Sequence, residues 1–372
     1  MDRHCAFLDQ RYFPLLDGLR CLAIVSVVWY HAAGQSYASG PLSRGFEGVS
    51  LFFVISGFLI TTLLLREQSE TGCISLQSFY LRRTLRIFPV YYGVLLFYMV
   101  LVFFLERHSE AGAQFWHNLP FFMSYTSNWF ANTDSDRTIF LFAWSLATEE
   151  QFYVFWPWIL RSVRVVIPIA VMVLLMVAQP FAVPYRDTTL VATVLASVSP
   201  FICAGSLVAI ALHRRMSFRW VSLVFGWPGS SLAAFAVLVL TLMFDGLPSW
   251  CLVLTMTWFV TACVLRPADQ PLAWLLTWRP VKHIGAVSYG IYLLNILCSY
   301  VVRHVIHLEN GALVFVLALP LSVLVATLTF RFYEAPFLRL KARLGRGARR
   351  RPLSAATAGH PRLAGAVSSP TP

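Results

Sequence analysis

The chain has 372 residues, of which 58% are hydrophobic, 15% aromatic and only 12% charged, with a net charge of +12. Soluble domains carry about 25% charged residues, so a soluble globular fold is excluded and the composition is that of an integral membrane protein. The positive charge accompanies no nucleic-acid-binding module and is spread over many short polar segments, which argues against a nucleic-acid partner and for membrane topology.

Runs of about 20 mostly apolar residues read as spans. Ten are found, near 16–34, 48–65, 88–105, 139–160, 165–183, 190–212, 229–244, 249–266, 283–306 and 312–333. An all-α, polytopic transmembrane bundle of about ten spans is therefore predicted. The Pro-interrupted stretch 119–130 also fits a re-entrant segment. With the N-terminus inside, the inner segments hold 23 Lys and Arg and the outer loops five, with Arg20 inside span 1. This bias places both termini in the cytoplasm. Residues 1–15 read as a cytoplasmic segment, 16–338 as the membrane domain, and 339–372 as a basic, disordered cytoplasmic tail that touches anionic lipid. Asp2, Asp9 and Asp17 precede the first apolar run without a following cleavage site, so span 1 reads as an uncleaved anchor.

Span 1 carries Leu16-Asp17-Gly18-Leu19-Arg20 and then His31. Eleven residues rise about 16 Å and return Arg20 and His31 to nearly the same helix face. Asp17 and Arg20, three apart, can neutralise each other. A neutral imidazole can take a proton from a hydroxyl and return it to a leaving group; a core histidine bridging two helices is the alternative. Span 2 opens Gly48-Val49-Ser50 and continues to Ser56-Gly57, small residues that let helices approach closely in a bilayer.

At the mouth of span 3, Arg82, Arg83 and Arg86 beside Tyr80 form a cluster able to grip phosphates through paired guanidinium bonds. Lipid-phosphate anchoring is its other reading. Span 4 contains Trp144-Ser145-Leu146-Ala147-Thr148-Glu149-Glu150. Adjacent carboxylates on a helix diverge by about 100°, so one glutamate faces protein, either as a catalytic acid or satisfied by an arginine. Ser288-Tyr289-Gly290…Asn295 and Tyr333-Glu334-Ala335-Pro336 are smaller polar signals within the last two spans. The seven cysteines are scattered, and neither a metal-ligand spacing nor a Walker loop nor a Gly-x-Ser-x-Gly elbow is found.

From about Leu16 to Pro336, the order of these motifs resembles the acyltransferase-3 family of integral membrane acyltransferases, which includes O-antigen, Nod-factor and macrolide acyltransferases. The Leu-Asp-Gly-Leu-Arg…His31 element, the Ser50–Ile60 helix, Arg83-x-x-Arg86 and Trp144-Ser145-Leu146…Glu149 carry the resemblance. It implies a catalytic role for His31, with Arg20, Arg83 and Arg86 organising the site or the donor. Asp17 and Glu149 join the candidate catalytic set, and Arg82 joins the donor-binding set. The implied reaction moves an acyl group, most often acetyl, from acyl-CoA as co-substrate to a hydroxyl of a glycan, lipid-linked saccharide or secondary metabolite, in a bacterial inner membrane with no tightly bound cofactor or metal.

Two departures stand out: Asn295 occupies a position where many relatives have histidine, and no extracytoplasmic hydrolase-like domain is recognised, which implies a partner protein. A secondary transporter and a scaffold of a polysaccharide-assembly complex are the readings from other classes, although no paired halves of a transporter are seen.

The charge bias generates a topology test. On a cysteine-free background, a membrane-impermeant thiol reagent should label Ser109→Cys and Asn310→Cys in intact cells and spare Ser354→Cys. Labelling of the Ser354 position, or protection of both outer positions, overturns the assigned orientation.

Overall fold

A computed structural model describes residues 3–34, 39–134, 138–161, 164–266 and 271–340; the tail from 341 lies outside the described residues. Every regular element among them is helical. In chain order the first half contains α1 (Arg3–Asp9), α2 (Leu16–Ala32), α3 (Gly48–Thr71), α4 (Leu76–Leu105), α5 (Glu110–Met123), α6 (Ser127–Phe130), α7 (Ala143–Leu160) and α8 (Val166–Ala182). The second contains α9 (Leu190–Ala196), α10 (Pro200–His213), α11 (Arg215–Phe225), α12 (Ser230–Met243), α13 (Ser249–Leu265), α14 (Ala273–Leu276), α15 (Arg279–Ala286), α16 (Ser288–Ile306) and α17 (Gly311–Thr329), which runs into a π-helical turn, Phe330–Glu334.

Each of the ten predicted segments contains a helix, but fewer are long and apolar enough to cross a bilayer. Five qualify: Gly45–Thr71, Leu76–Leu105, Val166–Tyr185, Ser288–Ile306 and Gly311–Leu340. Two bent pairs, α9 with α10 at 59° and α11 with α12 at 69°, raise the number to seven if each is one span. Length and composition among the described residues thus do not confirm all ten. The 17 residues of α2 and of α13 rise about 26 Å, short of a hydrocarbon core about 30 Å thick. α7 is interrupted by Glu149 and Glu150. Around 119–130, α5 continues through Pro120 to Met123, and a turn at Tyr125 with φ 54° leads into the single-turn α6.

Two packing arrangements position the polar residues. α2 lies inside the bundle, against α3, α13, α14, α15, α16 and α17, with Leu19, Ile24, Val27 and Val28 at most 1% exposed. α3 and α15 reach its backbone through glycines. A Cβ on Gly48 would stand 2.3 Å from the Ala23 carbonyl oxygen, and one on Gly285 1.8 Å from that of Asp17. α3 packs most extensively on α10, where Gly57 faces the Ile202 carbonyl and Gly205 that of Val54, each with only 2.1 Å for a Cβ. The small residues read from span 2 therefore serve two neighbours, α2 through Gly48 and α10 through Gly57.

Overpacking a close helix contact costs about 1–3 kcal/mol. Gly57→Ala and Gly205→Ala should each lower the thermal midpoint of the purified protein by several degrees, whereas Gly246→Ala, with nothing within 4 Å of the added carbon, should leave it unchanged. Equal midpoints for all three would refute the close-approach account.

Candidate active site

His31 lies one residue before the C-terminal end of α2, and α16 supplies its partner. Nδ1 of His31 is 2.7 Å from Oδ1 of Asn295. Asn295 is fully buried, and its Nδ2 donates to the carbonyls of Ile291 and Tyr292 at 3.2 and 2.6 Å. Nε2 of His31 has no hydrogen-bond partner among the described residues. The Tyr292 hydroxyl in turn donates to the Phe142 carbonyl at 3.0 Å and lies 2.5 Å from Ser145 Oγ, which ties α16 to the start of α7.

The opposite end of α2 holds the ion pair expected from its spacing. Arg20 Nη1 donates to Asp17 Oδ1 at 3.0 Å. The Tyr12 hydroxyl donates to Asp17 Oδ2 at 2.6 Å. Partial burial and the adjacent Asp17 carboxylate push the Tyr12 hydroxyl up to about 12, so it remains a donor at neutral pH and Asp17 is held from two sides.

The three arginines of α4 part company because successive residues on a helix point about 100° apart. Arg82 pairs with Glu67 of α3 at 2.8 Å, and Glu67 also accepts from the Ser75 backbone N–H at 3.2 Å. Arg82 is thereby built into the α3–α4 turn, away from its neighbours. Arg83 turns inward: its guanidinium lies 3.7 Å from the centroid of the Tyr153 ring, and Nη2 is 4.0 Å from Glu149 Oε1. Glu149 also accepts from the hydroxyls of Ser56 and Tyr153, so α3, α4 and α7 meet at one carboxylate. Arg86 is exposed and has neither a hydrogen bond nor an ion pair among the described residues. Its charge acts on Arg20 and Arg83, and Glu334 of the π-helical turn is its nearby opposite charge.

Two polar centres result. At one, Arg20, Arg83 and Arg86 come together from α2 and α4 beside Asp17 and Glu149. At the other, His31 meets Asn295 about three helical turns farther along α2. The sequence reading missed Ser56 and Tyr153 as partners of Glu149, although Tyr153 follows Glu149 at i+4 on one face. It read Asn295 as a polar signal and as a departure from relatives, without pairing it with His31. Glu334 was visible as a polar signal but not as a neighbour of Arg86, since that proximity depends on how α17 returns to α4. Among the described residues no three His, Cys, Asp or Glu side chains gather as metal ligands.

A helical membrane protein with an arginine cluster at one end of a buried helix and a partnered histidine at the other is the class that this geometry defines. The family described as acyltransferase domain matches residues 13–331, and the chain belongs to that family. It is 28% identical over 361 residues to O-acetyltransferase OatA of Staphylococcus aureus, an alignment covering 88% of this chain and 57% of the relative. It is 31% identical over 360 residues to "Putative peptidoglycan O-acetyltransferase YrhL" of Bacillus subtilis, covering 88% of this chain and 55% of the relative. The chain thus spans just over half the length of these relatives. No solved structure matches it.

The Glu149 junction has an energetic consequence. Removing one partner of a fully buried charge pair typically costs about 3–5 kcal/mol, against about 0–1 kcal/mol for a solvent-exposed pair, and Arg83–Glu149, 19% and 20% exposed, lies between these limits. Glu149→Ala should therefore lower the thermal midpoint much more than Arg82→Ala, whose side chain is 36% exposed. Equal shifts would show that Glu149 does not hold Arg83.

Proposed function

We propose that this protein is a membrane O-acetyltransferase that moves an acetyl group from acetyl-CoA, entering from the cytoplasm, to a hydroxyl of a cell-envelope glycan at the outer side of a bacterial inner membrane. The observation that carries this reading is the spacing on α2: Arg20 beside the unpartnered Arg86 at one end, and about 16 Å of helix to His31 at the other. The CoA phosphates would lie against Arg86 and Arg20, with Arg83 braced behind them by Glu149 and Tyr153. The extended arm of the donor would follow α2 and bring its thioester to His31.

In the transfer step, His31 Nε2 takes the proton of the acceptor hydroxyl as the oxygen bonds to the thioester carbonyl carbon. The C–S bond then breaks, and the proton passes from Nε2 to the departing thiolate. This is general acid–base catalysis, which contributes about 10²–10⁴-fold. A glycan acceptor is supported by the name of one relative, which specifies peptidoglycan. The cytoplasmic placement of the arginines and of both termini is supported by the Lys and Arg bias of the loops.

The reading is tested in proteoliposomes with acetyl-CoA and a peptidoglycan fragment as acceptor. His31→Ala should reduce O-acetyl transfer at least 10²-fold while insertion is retained. Arg86→Lys, which keeps the charge but loses the guanidinium fork, should raise the KM for acetyl-CoA without altering that for the acceptor. Transfer by His31→Ala above a few per cent of wild type overturns the catalytic assignment. An unchanged acetyl-CoA KM in Arg86→Lys overturns the donor site.

A further inference from the structure

His31 and Asn295 determine more than a helix contact. The Asn295 amide has only one tenable orientation. Its Nδ2 faces the Ile291 and Tyr292 carbonyl oxygens; turning the amide over would set Oδ1 against both of them, three acceptors with no hydrogen to share. Oδ1 therefore faces His31, and because a carbonyl oxygen can only accept, Nδ1 of His31 must carry the hydrogen across the 2.7 Å contact. In the neutral ring this leaves the lone pair on Nε2.

We propose that Asn295 is a positioning residue of acyl transfer: it holds the His31 imidazole as the Nδ1–H tautomer and so dedicates Nε2 to the proton of the acceptor hydroxyl. This rests on the reading of His31 given above and specifies its working atom. The Nδ1–H···Oδ1 bond is the same before and after Nε2 takes up a proton, so the ring need not turn during the cycle. An amide gives this orientation without placing a second charge in the bilayer, where an unpaired carboxylate is expensive. The amide is in turn held by Tyr292, whose carbonyl receives Nδ2 and whose hydroxyl is fixed at the start of α7. A tautomer fixed by the partner of a catalytic histidine is a known determinant of turnover.

The proposal is tested on ¹⁵N-histidine-labelled full-length protein in nanodiscs, at a pH where the rings are neutral. The nine histidines give one signal set that disappears in His31→Gln, and that set should show Nδ1 protonated and Nε2 bare. In Asn295→Leu, which fills the volume but accepts nothing, the set should move to exchange between tautomers. Turnover should fall about 10–100-fold with the KM for acetyl-CoA within twofold of wild type.

A bare Nδ1 in the wild type overturns the proposal, as does wild-type turnover in Asn295→Leu when His31→Ala is inactive; both leave the role of His31 standing. Activity in His31→Ala removes that role itself. If Asn295→Leu does not fold, the wild-type spectrum decides alone.

Discussion

A helix that carries Asp17, Arg20 and His31 cannot face hydrocarbon, because each unpartnered ionisable group there costs several kcal/mol. The enclosure of α2 follows from that constraint. Neighbouring helices cover it, and each polar side chain is matched where it emerges: Asp17 by Arg20 and Tyr12, His31 by Asn295. Lipid supplies no hydrophobic drive to bring helices together, so close backbone approach takes over, and Gly48 and Gly285 bring α3 and α15 onto α2. The length of α2 is part of the same solution. Seventeen residues suffice for a helix whose ends meet protein.

The arginine motif shows how a compact sequence signal is divided by geometry. Arg82, Arg83 and Arg86 read as one patch, yet one secures a turn, one is immobilised against Tyr153 and Glu149, and one is left exposed. The division follows from the 3.6-residue period and from the carboxylates that α3 and α7 bring to the first two. An arginine already held by an aromatic face and a carboxylate has little freedom to follow a ligand, whereas Arg86 retains it. Family membership and the all-helical, multi-pass character of the chain agree with this arrangement.

The local features were legible in the sequence because they lie on one helix: the Asp17–Arg20 pair at i, i+3, the shared face of Arg20 and His31, and the small residues of α3. Pairings over long sequence separations were not. Asn295 meets His31 across 264 positions and Glu149 meets Ser56 across 93, and no periodicity encodes such contacts. The count of spans stays open for a related reason. Hydropathy registers apolar character without distinguishing burial in protein from exposure to lipid, and among the described residues five helices, or seven with each bent pair taken as one span, are long and apolar enough to cross.

The glycine contacts also limit how this protein can move. Where Gly48 and Gly285 meet the carbonyls of Ala23 and Asp17, there is room for a hydrogen atom and not for a methyl group. Displacing α2 by one residue, about 1.5 Å along its axis, would bring neighbouring side chains into these slots. α2 is therefore a fixed post and not a piston, and the distance between its two polar ends is a constant of the molecule. The helix is thus a ruler whose length its neighbours hold constant, and any rearrangement of the bundle falls to elements that do not lean on it through glycine.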